Sequence, residues 1–140
     1  MDKGRKAWDA WRRAAKQDAE PGQQYEGATG TKSAAQRLEA NPDLPRPTWA
    51  MAVRYTLFLL ERKAPGPGVE VRVAPWGAIK ILDGPASDPH NLTPPDVIEL
   101  DPEVWLRLAA GITTWAEEKA AGHITAVGER DDLSDLLPLA

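Results

Sequence analysis

Residues Asp101 to Leu137, DPEVWLRLAAGITTWAEEKAAGHITAVGERDDLSDLL, allow few arrangements. Asp101-Pro102 has the order favoured at a helix start, an N-cap followed by a proline whose missing N–H needs no partner. Trp105, Leu108 and Ala109 form the inner stripe of that helix, and Gly111 ends it. Thr114-x-x-Glu117 is a capping box that opens a second helix, which stops at Gly122. His123 to Val127 reads as a strand closed by Gly128. Asp131 or Asp132 then caps a last short helix that turns Leu133, Leu136 and Leu137 inward before Pro138 stops it. Two helices, a strand and a closing helix in so few residues demand a sheet for them to pack on.

That sheet is written upstream. In Val69-Glu70-Val71-Arg72-Val73 valine alternates with charge, the period of a strand with one buried and one wet face. Pro75-Trp76-Gly77 turns the chain tightly into Ala78 to Leu82, with Ile79 and Ile81 inward, so the two strands make a hairpin. Val97 to Leu100 is a third strand. Between them Asp83 to Pro95 is a polar, proline-rich loop of the kind that serves as a lid or gate. Before the hairpin, Thr48 is positioned to cap a helix from Trp49 to Lys63, apolar around most of its circumference and therefore central. Arg54 interrupts it and reads as a surface or ion-paired residue in preference to a ligand clamp. Ala64-Pro65-Gly66-Pro67-Gly68 breaks the chain after it.

The N-terminal third is different. Residues 5 to 19 form an amphipathic helix with Ala7, Trp8, Trp11, Ala14 and Ala15 on one side and Arg5, Lys6, Arg12, Arg13 and Lys16 on the other. Two readings follow: the helix docks on the domain through its tryptophans, which is favoured, or Trp8 and Trp11 touch a membrane surface transiently. Gly22 to Arg46 is a linker with a weak helical patch at Ser33 to Glu39. The expected organisation is residues 1–45 as helix and linker and 46–140 as the domain.

Several chemistries are excluded. Without cysteine there are no disulfides, thiolate zinc sites or thiol nucleophiles, which suits a cytoplasmic protein. His90 and His123 lack ligand spacing, so no metal site is expected, and no Gly-x-Ser-x-Gly elbow or other catalytic constellation is present. Glu129-Arg130-Asp131-Asp132 reads as capping, since calcium needs alternating oxygen ligands. No run approaches membrane-spanning length, and the start has no apolar core of a secretory signal. The first 82 residues sum to +5 and the last 58 to −9, an acidic half that argues against nucleic acid as a partner.

The order of these parts resembles the C-terminal half of the sterol carrier protein type 2 family. Its carriers are Asp101-Pro102, Ala109-Ala110-Gly111, Gly122, Gly128 and the leucine-bearing end. Val69 to Ala78, the His90 to Pro95 loop and Gly128 to Ser134 are similar to recurring segments of a bacterial, actinobacterial branch. The resemblance spans Pro45 to Pro138. It implies an α+β fold in which a twisted, mostly antiparallel sheet of four or five strands carries helices on one face. It also implies an apolar cavity for a sterol, fatty acid or acyl-CoA, with no catalysis and no cofactor. The residues expected to line it are Phe58, Trp76, Ile81, Ile98, Trp105, Leu108, Trp115, Leu133 and Leu136. Peroxisomal members end in a Ser-Lys-Leu signal, whereas this chain ends Pro138-Leu139-Ala140. A ligand-free interaction module of the same fold is the alternative, and the sequence leaves the oligomeric state open.

Overall fold

The computed structural model describes residues 2–19, 34–84 and 96–139. The linker beyond residue 19 up to 33 and the core of the expected gate, 85–95 with His90, lie outside the described residues. Elements run α1 (Asp2–Ala19), α2 (Ala34–Leu38), α3 (Arg46–Lys63), β1 (Pro65–Val73), β2 (Gly77–Ile81), β3 (Asp96–Leu100), α4 (Pro102–Ala110), α5 (Trp115–Ala120) and β4 (Ile124–Val127), closing with a 3-10 turn at Ser134–Leu136.

The strands lie in the order β2-β1-β3-β4. β1 with β2 and β3 with β4 are antiparallel, while β1 and β3 run parallel, so the mostly antiparallel sheet expected is a mixed, four-stranded one. Alternation decides its faces. Val69, Val71, Val73, Ile81 and Ile98 are wholly buried on one side. Glu70, Arg72 and Glu99 form an ion-paired row on the other, with Arg72 3.1 Å from Glu99. The helices occupy the apolar side.

α3 is the central helix and packs against β1, β2, α1 and α4. It begins three residues before the expected start because Pro47 fits the first turn, where a missing N–H costs nothing. Pro45 is the N-cap in place of Thr48, whose N–H bonds the Pro45 carbonyl at 3.0 Å. Thr56 turns its hydroxyl back to the Ala52 carbonyl at 2.7 Å and accepts the indole N–H of Trp105 at 2.8 Å, which ties α4 to α3.

β1 also starts earlier than the alternation suggests, taking in the segment that reads as a break. Its register shifts between Pro65 and Val69, and such an irregularity tolerates proline. Gly66 has φ +150°, and a Cβ there would lie 2.1 Å from the Leu82 carbonyl oxygen, so only glycine fits. The closing helix shrinks to the 3-10 turn. Its N-cap is Leu133 in place of the expected Asp131 or Asp132, although Asp132 accepts the Ser134 N–H at 2.8 Å just before it; Leu133 is buried while Leu136 and Leu137 are half-buried.

α1 docks through its tryptophans: Trp8 is 3 % and Trp11 0 % exposed, and with Ala7 and Ala15 they belong to the same buried cluster as the sheet residues. This corrects the membrane-contact reading of Trp8 and Trp11, since neither ring faces outward. Among the described residues no helix is long and apolar enough to cross a membrane.

Candidate functional site

Six of the nine residues expected to line a cavity sit inside the core. Ile81, Ile98, Trp105, Leu108, Trp115 and Leu133 are all at most 5 % exposed. Phe58, Trp76 and Leu136 are half-buried at its margin. The clefts that reach these residues are separate. Phe58 lines a groove of about 300 Å³ between α1 and α3. Trp76 lines another between the β1–β2 turn and the starts of α3 and α4, where its ring stacks on Trp49 at 6.4 Å under the guanidinium of Arg46.

Leu108 and Trp115 share a third cleft, about 220 Å³, between α4, α5 and the C-terminal segment. Local sequence builds it. Gly111 closes α4 in the left-handed conformation at φ 78°, which lets the chain swing into α5, and a Cβ there would press on Pro138 at 3.2 Å. Thr114 and Glu117 complete the expected capping box, so Trp115 is held in the first turn of α5. Leu137 and Pro138 line it from the C-terminal segment, which acts as a strap. The strap is tied by the Leu139 N–H to the Ala109 carbonyl at 2.9 Å and by Lys63 Nζ to the Leu136 carbonyl at 2.8 Å. Trp115 lines the cleft, and its indole N–H is itself buried with no acceptor among the described residues, as is that of Trp11. A buried donor without a partner costs about 1–3 kcal/mol.

Behind this cleft lies a charge cluster that sequence reading missed. Arg107 and Glu118 are buried side chains, 3 % and 0 % exposed, paired through Nε and Oε2 at 2.8 Å. A second pairing joins Nη2 to Oε1 at 3.0 Å. Thr113 donates to the same carboxylate at 2.6 Å, and His123 Nδ1 lies 2.7 Å from it. Arg107 also reaches the Ala40 carbonyl at 3.0 Å. Burial is the largest single influence on Glu118 and pushes it up, but the hydrogen bonds from Arg107, Thr113 and His123 together hold it below its ordinary range. The signal available in the sequence was Arg107 itself, one cation inside the apolar run Val104 to Ala110.

A second pair pins α2 to α5. Arg37 Nη1 donates to Glu117 Oε1 at 2.6 Å and to the Ile112 carbonyl at 3.1 Å. The hydrogen bond from Arg37 lowers Glu117 to about 2 from 4.5. A lowered folded-state value means that this pairing contributes fully above pH 4.5 and is lost as the pH falls toward about 2. The expected result is loss of amide-exchange protection for residues 34–40 in that window, ahead of the β1 amides. Residues 34–40 staying as protected at the bottom of the window as at neutral pH contradicts it.

Among the described residues no group of three or more metal-ligating side chains comes together. Comparison with known families supplies a match over residues 45–139 to the family described as the bacterial SCP ortholog. The chain belongs to this sterol-carrier-like family. No curated protein matches the chain. The helix-on-sheet α+β arrangement is that of a sterol-carrier-like fold, and the strap, α4 and α5 that enclose the Trp115 cleft all lie within the sterol-carrier-like segment. α1 and α2 precede it.

Proposed function

We propose that this protein is a noncatalytic carrier of an apolar, lipid-class ligand (a sterol, fatty acid or acyl-CoA) working in the cytoplasm. The Trp115 cleft would receive the ligand's buried end. Membership of a sterol-carrier-like family supports the ligand class. The observation that carries the site is a cleft lined by Leu108, Trp115, Leu137 and Pro138, with the Trp115 N–H buried beside it without an acceptor among the described residues. A ligand whose entry turns the Trp115 ring would place one acceptor oxygen on that donor and leave its hydrocarbon against Leu108 and Leu137, at about 0.8 kcal/mol per buried CH₂. At about 220 Å³ the cleft holds part of such a molecule, so full entry requires Leu137 and Pro138 to lift. Of the nine expected lining residues, Leu108 and Trp115 line this cleft; Ile81, Ile98, Trp105 and Leu133 are packed in the core, Phe58 and Trp76 line other grooves, and Leu136 is half-buried at the core's margin.

Two substitutions test the reading. Trp115→Phe keeps the ring and removes the donor, so fluorescent fatty acid or sterol affinity is expected to fall by about 1 kcal/mol, roughly fivefold, with thermal stability unchanged or raised. Leu137→Trp fills the half-buried mouth and is expected to abolish uptake while the circular dichroism stays that of the parent. Native mass spectrometry of the purified parent is expected to show bound lipid. A parent that carries and takes up no labelled lipid refutes the carrier function and favours an interaction module.

A further inference from the structure

The open edge of the sheet carries a second inference, which stands whether or not the Trp115 cleft holds a lipid. β4 ends the strand order β2-β1-β3-β4, and β3 is its one neighbour among the described residues. No backbone bond of Ile124 to Val127 to any other described residue is found, so the outward N–H and C=O groups of this edge are left to water or to a further strand. Sheet edges are commonly blocked by a lysine, a proline or a bulge. At the opposite edge β2 has exposed Lys80 near its middle and packs on α3. Ile124-Thr125-Ala126-Val127 has none of these devices, and its register with β3 runs unbroken from Leu100 opposite Ile124 to Val97 opposite Val127.

The side chains point the same way. Ile124 and Ala126 lie opposite Leu100 and Ile98 and so belong to the apolar face. Leu100 and Ile98 are buried, yet Ala126 is exposed and Ile124 only half-buried, so the apolar layer is cut off at β4. On the other face Val127 is 63 % exposed, the one large hydrophobic side chain so placed among the described residues. His123 and Thr125 share that face with it.

This edge is complementary to itself. A second copy laid antiparallel about a two-fold axis through Thr125 keeps the helix-covered faces of both sheets on one side. It sets Thr125 against Thr125, Ile124 against Ala126 of the second copy, and Val127 against His123 of the second copy. Glu129, exposed just past the strand, falls diagonally from that same imidazole, whose Nδ1 already faces Glu118 of its own chain, so a carboxylate meets a histidine at each end. A peptide of another protein would meet the same backbone groups, but the second copy also covers both apolar positions and matches the polar ends. The two-fold arrangement closes on itself, and the edges it leaves outside are the two β2 strands with Lys80.

We propose that this edge is the interface of a homodimer, in which the β4 strands of two chains pair antiparallel about Thr125 and join the two four-stranded sheets into one.

Sedimentation equilibrium of the full chain tests it. The parent is expected to be a dimer that dissociates on dilution. Because the chain has no cysteine, Thr125→Cys introduces a single thiol. Residues opposite each other on antiparallel strands have Cα atoms about 4.5–5.5 Å apart, a separation that a disulfide spans. Mild oxidation is therefore expected to join Thr125→Cys into a covalent dimer. Val127→Cys, displaced from its copy by four positions or about 13 Å, is expected to stay uncrosslinked. Thr125→Lys sets two like charges against each other and is expected to weaken dimerisation about fivefold or more, with the circular dichroism of the parent. A parent that is monomeric at every concentration reached overturns the proposal, as does a dimer indifferent to Thr125→Lys. Crosslinking no more readily for Thr125→Cys than for Val127→Cys also overturns it. Amide protection of β4 that appears only on adding an unrelated extended peptide assigns the edge to a partner's strand and overturns it too. Labelled-lipid uptake by Thr125→Lys is expected to match that of the parent, so either proposal can fail alone.

Discussion

Arg107→Met is expected to destabilise the fold by about 3–5 kcal/mol, the usual effect of removing one partner from a buried ion pair. The cost comes from Glu118, which is 0 % exposed and would be left with Thr113 and His123 as its donors. It would then either remain charged without its guanidinium or take up a proton. Ala40 loses the bond to its carbonyl as well, which loosens the end of α2 from the domain. Glu118→Leu alone is expected to be equally harmful, because it strands the Arg107 cation. The double substitution Arg107→Met with Glu118→Leu removes both charges and is expected to recover most of the loss, since an apolar pair of similar volume is often neutral relative to a buried ion pair. Urea unfolding of the four proteins measures this. Equal, additive losses in the two single variants and the double would mean that the pair does not act as a unit.

How much of this was readable in the sequence follows from the range of the physics involved. The Val69 to Val73 alternation, the Thr114–Glu117 capping box and the Gly111 cap depend on residues within a few positions of each other, and each is found where the pattern places it. Errors arose where a distant strand decides the outcome. Pro65 to Gly68 reads as a break until Ile81 and Leu82 are available to pair with it, and Gly68 then bonds the Leu82 carbonyl at 2.8 Å. Arg107 drew no reading of its own, because the pair does not exist until Glu118, eleven positions on, is folded beneath it. For the site, apolarity was readable and vacancy was not. Ile81, Ile98, Trp105 and Leu133 have the composition of a pocket wall, but they are packed in the core, and nothing local distinguishes a ring that borders space from one that fills it. The orphaned N–H of Trp115 has no sequence signature at all.

Trp11→Ala is expected to cost about 3–5 kcal/mol, as large-to-small changes at wholly buried aromatic positions do. Trp11 is 0 % exposed and sits between two other rings, stacked with Trp8 at 5.9 Å and edge-on to Trp49 at 5.7 Å. Trp49 in turn stacks on Trp76, so the array runs from α1 across α3 to the β1–β2 turn. Its loss opens a void that Trp8 and Trp49 cannot both close without giving up contact with each other's neighbours. Trp11→Phe is expected to cost far less, because the ring contacts persist and the indole N–H, which has no acceptor, is removed with the extra ring. The contrast matters because α1 precedes the family-matched segment, residues 45–139. Were α1 an appendage, Trp11→Ala would melt that helix alone and leave the main transition in place. Because Trp11 shares one buried cluster with Val53, Val71 and Ile98, the main unfolding transition itself is expected to shift down by roughly 10 °C or more. A thermal scan in which Trp11→Ala keeps the parent's main transition would show that the domain is complete without α1.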